Sequence, residues 1–361
     1  MKILHVLYSG LGGHGSIFSS FVKNNTIDDL QYEALFNGIE GVKPEYIDLC
    51  TQFNIEWHFV GKKKGLDFGY YRRLTKCIRK SDADIVFLHS AAYIFPAKLG
   101  SIFGKRKKRI VVRETQSNQL KTKMEWFWLA AAMLGATNIV FLSEEYRNEI
   151  SKKLRWFYRS KKISVIPNGI DLDLYKPVKK TLTGKKTFGM QSRLVPVKDH
   201  VTFLEAFSIV YKNSPDKNCS LKIAGDGEYR RALADKAAAL KLGDTVEFTG
   251  MIAERDLPDF LSSLDIYVHA SLGETMSTAI MQAMACGLPV IASDVMGINN
   301  MIEDGRTGIL VPPKDAAALA KAMELLIGDE ERRTAMSLSA RQYAEKKFSN
   351  KRMLDAYRQL F

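Results

Sequence analysis

A chain of 361 residues has room for two domains with separate cores, and with 46% hydrophobic and 26% charged residues it is not a disordered chain. Its four cysteines, Cys50, Cys77, Cys219 and Cys286, lack C-x-x-C or metal-ligand spacing, which excludes a disulfide framework and fits reduced thiols in a cytoplasmic protein. The formal charge of +13 is concentrated early: residues 1–175 hold 27 Lys and Arg against 17 Asp and Glu, leaving 26 against 23 for the remainder.

The first residues, Met1 to Tyr8, are too short and too strand-like for a signal peptide, so translocation is not expected. A strand over 3–8 leads into Ser9-Gly10-Leu11-Gly12-Gly13-His14-Gly15, and a helix follows over 16–23. Gly10, Gly12 and Gly15 satisfy the dinucleotide pattern G-x-G-x-x-G. The acid that should close the next strand, 32–36, is replaced by Asn37 and Gly38. The loop therefore reads equally well as one that lets a phosphate or an acceptor approach the backbone.

Short apolar runs at 85–88, 109–112, 139–142 and 162–166 alternate with helical stretches, the pattern of a parallel sheet covered on both faces. His89 closes one of these strands, and Arg113-Glu114-Thr115-Gln116 follows another. The longest uncharged stretch, 126–143, divides into a helix and a strand and reads as a buried pair, not a membrane span. The basic excess gathers in Lys62-Lys63-Lys64, in Lys105-Arg106-Lys107-Lys108-Arg109 and in six cations between Lys152 and Lys162. Such clusters hold anionic lipid or form a solvated face. Nucleic acid is not an expected partner, because there is no zinc-finger spacing, RNA-recognition motif or helix-turn-helix signature.

After Val165-Ile166-Pro167-Asn168-Gly169-Ile170-Asp171 comes a polar stretch with Pro177 and Gly184, which marks a boundary near residue 180. The second half restarts the alternation with strands at 187–190, 220–224, 246–250 and 264–268. Arg193 and Lys198 lie five apart on the loop after the first of these, suited to grip two phosphates. The fourth leads to Ser271-Leu272-Gly273-Glu274-Thr275-Met276-Ser277, a turn that opens a helix over 277–285, stopped at Gly287 and followed by a strand over 289–292. Backbone N–H groups of Met276, Ser277 and Thr278 at that helix start favour an anion. Glu274 and Gln282 are separated by about 10 Å along it, roughly the span from sugar to ribose in a nucleotide sugar. The two Asp-x-Asp triplets, Asp82-Ala83-Asp84 and Asp171-Leu172-Asp173, precede a strand and belong to the linker respectively, so no metal ligation is expected.

The segment Glu274 to Ile291, with Ala283-Met284-Ala285-Cys286-Gly287-Leu288-Pro289-Val290-Ile291, resembles the nucleotide-binding signature of GT4-type retaining glycosyltransferases (glycosyltransferase group 1). Arg193-Leu194 with Lys198, Gly225-Asp226-Gly227-Glu228 and the stretch from Val165 to Asp171 are also similar to that family. The resemblance is strong over 163–313 and weak before it. It implies a GT-B fold: α/β, with two Rossmann-like doubly wound domains facing each other across a cleft. The domains would cover 1–178 on the acceptor side and 185–345 on the donor side, with residues 346–361 a helix returning to the first domain.

The resemblance further implies a hexosyltransferase-type, metal-independent enzyme without a resident cofactor, taking a UDP-sugar as co-substrate and building a cell-surface polysaccharide or lipopolysaccharide. Glu274, Arg193 and Lys198 would be catalytic. The donor would be held by Gly12, Gly13, Arg193, Lys198, Met251, Glu274, Met276, Ser277, Thr278 and Gln282. His14, His89, Glu114 and Thr115 would line the acceptor side. A lipid-linked saccharide is the acceptor that fits the basic first half, with the protein on the inner face of the cytoplasmic membrane. Three departures from the family stand out: Gln282 in place of its second Glu, Glu114 and Thr115 where many members have a His, and Asn300 where many have a Glu. Gln282 and the absent His support another reading, a non-catalytic nucleotide-sugar-binding or membrane-surface protein, Asn300 bears on donor preference, and a nucleotide-sugar epimerase of the same shape is a further alternative.

Overall fold

The computed structural model describes every residue except 11–12, 26–28, 66, 105, 119–120, 179–183 and 215–217. The chain divides into two compact units, Met1–Gly169 with Asn350–Phe361, and Ile170–Ser349. The first unit is built on β1 (Lys2–Tyr8), β2 (Gln31–Gly38), β3 (Glu56–Gly61), β4 (Ile85–Leu88), β5 (Arg109–Arg113), β6 (Asn138–Phe141) and β7 (Ile163–Val165). They form one sheet in the order β3-β2-β1-β4-β5-β6-β7, with every neighbouring pair parallel. The second unit carries β8 (Lys186–Gln191), β9 (Cys219–Ala224), β10 (Val246–Gly250), β11 (Ile266–His269), β12 (Val290–Ser293) and β13 (Gly308–Val311), ordered β10-β9-β8-β11-β12-β13 and again all parallel. Parallel neighbours need crossovers, and the helices that supply them cover both faces of each sheet, which is why the central strands read as unbroken apolar runs.

Alternation within a strand splits the first unit's core in two. Leu4 and Val6 of β1 join Leu35, Val86 and Val112 on one face, whereas Ile3 joins Phe21, Phe87 and Val111 on the other. The helix Asn350–Leu360 closes this second face with Met353, Leu354 and Tyr357. The Tyr357 ring lies 5.1 Å from Phe21 and 5.4 Å from Phe87.

Two strands lie outside those read from the sequence. β3, Glu-Trp-His-Phe-Val-Gly, is an edge strand with only Val60 buried, so it lacks the alternation or run that signals a strand. β13 is four residues long and sits at the far edge of its sheet. The chain also enters the second unit earlier than Pro177 and Gly184 suggest. Ile170 and Tyr175 already belong to that unit's core, beside Phe260, Met281 and Met284, because local polarity reports solvent exposure and not which core the preceding side chains join. Tyr357→Ala removes a fully buried ring from the first unit, and a loss of about 3–5 kcal/mol is expected in that unit's urea unfolding transition.

Candidate active site

Two loops that follow parallel strands build the centre of the second unit. β11 ends in the fully buried His269, and the turn beyond it is tied to the loop after β8: Leu272 N–H donates to the Val197 carbonyl at 2.8 Å and Ser271 Oγ at 3.1 Å. From the other side Gly297, at φ 84, passes so close that a Cβ there would lie 2.2 Å from the Glu274 carbonyl oxygen. Only glycine permits that approach. The turn so held places Glu274 Oε1 against Lys198 Nζ in an ion pair, and the same oxygen is 3.0 Å from His269 Nε2.

The electrostatics of this group follow from burial. His269 is pushed well below its ordinary value, first by burial and then by its neighbours Lys198 and His200, so it stays neutral. A carboxylate only accepts, which puts the proton on Nε2 and turns Nδ1 toward the Tyr267 hydroxyl at 3.4 Å. His200, brought to about 4 by burial and by Lys198, holds Ser192 Oγ at 3.0 Å. Burial, and then the Arg193 guanidinium, lower Lys198 to about 7. The Glu274 carboxylate in contact works the other way, favouring the ammonium form and opposing that shift.

The helix Thr278–Ala285 starts one residue later than the sequence suggests, with Ser277 as its N-cap. Ser277 Oγ accepts from Ile280 N–H at 3.4 Å, and the Ser277 N–H is directed at the Met301 sulfur, 3.3 Å away. Of the three N–H groups expected to face an anion, that of Ser277 is thus taken and that of Met276 precedes the helix; Thr278 and Ala279 are the first-turn donors. Arg193 is exposed on its loop, and Met251, 74% exposed, follows the end of β10. Gly13 opens the helix Gly13–Lys23, whereas Gly12 lies outside the described residues. Asn300 sits in a single turn, Asn299–Met301, with its side chain exposed.

In the first unit a cavity of about 260 Å³ opens at the ends of β1, β4 and β5, lined by Tyr8, His14, His89, Ser90, Ala91, Ala92, Tyr93, Glu114, Thr115, Gln116, Glu125 and Trp128. It brings together His14, His89, Glu114 and Thr115. Glu114 Oε1 accepts from Gln116 N–H at 3.1 Å and pairs at 3.1 Å with Lys121 Nζ, whose side chain is nearly inaccessible. Behind His89 stands His5, with Nδ1 3.1 Å from His89 Nε2. Burial lowers His5 to about 3 and takes His89 well below its usual value, so the pair is uncharged. His14 Nε2 meets the Gly10 carbonyl at 3.0 Å. The third glycine of the G-x-G-x-x-G pattern has a packing reason: a Cβ on Gly15 would fall 1.8 Å from the Tyr46 hydroxyl. The Asp-x-Asp triplets are occupied locally, Asp82 and Asp84 by Lys2 and Asp171 by the N–H groups of Asp173 and Leu174.

The model of the glycosyl transferases group 1 matches residues 173–343, and that of glycosyltransferase family 4 matches residues 33–174. The chain belongs to the GT4-type glycosyltransferases. It is 27% identical over 312 residues to the UDP-Gal:alpha-D-GlcNAc-diphosphoundecaprenol alpha-1,3-galactosyltransferase of Escherichia coli, covering 80% of this chain and 77% of that protein. It is 26% identical to the GDP-mannose-dependent alpha-(1-6)-phosphatidylinositol monomannoside mannosyltransferase of Mycolicibacterium smegmatis, covering 75% and 74%. Its fold is GT-B: the crystal structure of Anabaena Alr3699/HepE in complex with UDP and glucose superposes with a TM-score of 0.83 at 20% identity, covering 100% of this chain and 99% of that one.

In this glycosyltransferase Gln282, at the position of the family's second Glu, is 9% exposed, and both ends of its amide are engaged. Its Oε1 accepts from Gln191 Nε2 at 2.5 Å and its Nε2 donates to the Tyr175 hydroxyl at 2.8 Å. The sequence singled out none of His269, Tyr267, Gln191, His200 or Tyr175. His269 alone carried a signal, as the residue after a recognised strand and five before Glu274. Gln282→Leu would leave the buried Gln191 amide and Tyr175 hydroxyl without partners, and denaturant unfolding is expected to show a loss of about 1–3 kcal/mol.

Proposed function

We propose that this glycosyltransferase moves a hexosyl group from a UDP-sugar to a saccharide carried on a lipid, with retention of anomeric configuration and without a metal, in the synthesis of a cell-surface polysaccharide or lipopolysaccharide. The observation that carries the reading is the convergence of Lys198, Glu274 and neutral His269 on one carboxylate oxygen, beside Arg193 and a helix start. The sugar C1–O bond to the diphosphate breaks as the acceptor oxygen attacks C1 from the same face. The acceptor's proton passes to the departing phosphate oxygen. Negative charge grows on that phosphate, and Arg193, Lys198 and the first-turn N–H groups of Thr278 and Ala279 stabilise it. Glu274, oriented by the His269 Nε2–H, contacts hydroxyls of the transferred sugar and balances positive charge at C1. Gln282 holds the ribose after giving up one of its present partners, and backbone near Met251 meets the base. The first unit's cavity takes the acceptor's leading sugar, with Glu114, Thr115 and His89 as polar contacts and Trp128 as a stacking face.

UDP is favoured by the UDP-Gal and UDP named for a relative and for a structural neighbour, although another relative uses GDP-mannose. A lipid carrier is favoured by the diphosphoundecaprenol and phosphatidylinositol in the relatives' names. The deciding experiment is a melting-temperature panel of UDP, GDP, ADP and their sugars, followed by turnover with and without acceptor. A shift confined to the UDP series and reduced about tenfold or more in affinity by Arg193→Ala is expected. Conversion of the nucleotide sugar into its epimer without acceptor would instead support an epimerase, and no shift with any nucleotide would sink the transferase reading. Glu274→Gln is expected to slow transfer by about 10²-fold while UDP still binds.

Binding of UDP should also depend on pH in a definite direction. Free Lys198 sits near 7, and an adjacent diphosphate favours its ammonium form, so binding takes up a proton at and above pH 7. Affinity is then expected to fall as pH rises from 7 to 9, with proton uptake visible as a buffer-dependent enthalpy in titration calorimetry. Lys198→Met is expected to remove that pH dependence; the same slope in the variant would assign the proton elsewhere.

A further inference from the structure

Helices that cover a parallel sheet ordinarily turn a polar stripe to water, but two neighbouring helices of the first unit do not. In Lys123–Gly135 the inner residues Leu129, Ala132 and Met133 are buried, yet the opposite stripe is Met124, Phe127 and Leu134, between 54% and 59% exposed. In Ile94–Ile102 the outward stripe is Phe95, Leu99 and Ile102, between 44% and 61% exposed. The two stripes join, since the rings of Phe95 and Phe127 stack with centroids 6.2 Å apart and planes at 23°. A contiguous apolar patch of this kind marks a docking surface.

The rim says what docks. The exposed cations on and beside the two helices include Lys98, Lys123 and Lys153, whereas residues 91–135 hold just two acids, Glu114 and Glu125. Glu114 is buried against Lys121, and Glu125 is occupied in the capping box with Thr122. Lys98 Nζ lies 3.3 Å from the Gly135 carbonyl, Lys123 opens the second helix, and Lys153 Nζ stands 3.9 Å above the Trp126 ring. Apolar and aromatic side chains ringed by cations suit an anionic bilayer, into whose headgroup layer the rings sink while the amines meet lipid phosphates. A second copy fits less well, because a contact between two identical faces would bring two rims of like charge together.

We propose that the face formed by Ile94–Ile102 and Lys123–Gly135 docks on an anionic lipid surface. The same elements form part of the acceptor cavity's wall: Tyr93 immediately precedes the first helix, and Glu125 and Trp128 lie in the opening turns of the second. Docking there delivers a membrane-held saccharide to that cavity, a step that rests on the acceptor reading above, whereas the docking itself does not.

The test is sedimentation of the full chain with phosphatidylcholine vesicles with and without phosphatidylglycerol. Wild type is expected to sediment with the anionic vesicles and to be released by salt. Leu99→Ser combined with Phe127→Ser, both exposed positions, is expected to keep the melting temperature and the donor-induced shift while binding vesicles about tenfold more weakly. Lys98→Glu combined with Lys123→Glu is expected to lose the preference for anionic vesicles. Wild type remaining in the supernatant, or undiminished binding by both variants, would overturn the proposal. So would a wild-type dimer that the serine variant splits, which would make the face an interface between copies. Vesicle binding without transfer to any acceptor would leave the docking surface standing and remove the function above.

Discussion

Parallel pairing is the constraint from which the rest follows. Each strand must be carried back by a crossover before the next can pair, so every loop that leaves a strand emerges at the same edge of its sheet. The side chains with chemistry are those first residues past the strands. His14 follows β1, His89 follows β4, and Glu114 follows β5, which gathers them at one cavity although up to a hundred residues separate them in the chain. In the second unit Lys198 follows β8, while His269 ends β11 and Glu274 follows it. Hydrogen bonds from Ser271 and Leu272 to Val197 then turn nearness into contact.

Within these sites charge is rationed. His5, His89, His200 and His269 are all buried and all held uncharged, so the second unit's centre carries its charge on Lys198, Arg193 and Glu274. Removing two ions from water is expensive, and an ion pair recovers that cost only with good geometry and further hydrogen bonds. His269 supplies such a bond to Glu274, and Tyr267 faces the other side of its ring. An arriving anion finds a cation already desolvated and a carboxylate already oriented, the arrangement in which fixed dipoles and charges act most strongly on a transition state.

Much of this was legible from the chain. The strand at Ile85–Leu88 has the bounds its apolar run suggests, and the helix before Gly287 ends where expected. These signals are local, since burial on both faces writes itself into four or five consecutive residues. Glu274 and Lys198 were visible because their spacing from neighbouring turns is a family pattern. The rest was not, for reasons of distance. β3 is a strand because β2 offers it an edge, and nothing in Glu-Trp-His-Phe-Val-Gly announces that. Gln282 reads in the sequence as a replacement for the family's second Glu, but its setting depends on Gln191 and Tyr175, 91 and 107 residues away. Lys121 clamps Glu114 from a loop with no motif at all.

The polypeptide passes between the two units twice, after Gly169 and after Ser349. In topological terms the second unit is an insertion inside the first. During synthesis from the N-terminus, Ile170–Ser349 can complete its fold as soon as it has emerged, while the first unit waits with the Ile3, Phe21 and Phe87 face of its core uncovered until Met353, Leu354 and Tyr357 leave the ribosome. The half made first is therefore the half finished last. A premature stop or a tag crowding the final helix would injure the start of the protein and leave intact the half to which that helix is chemically joined.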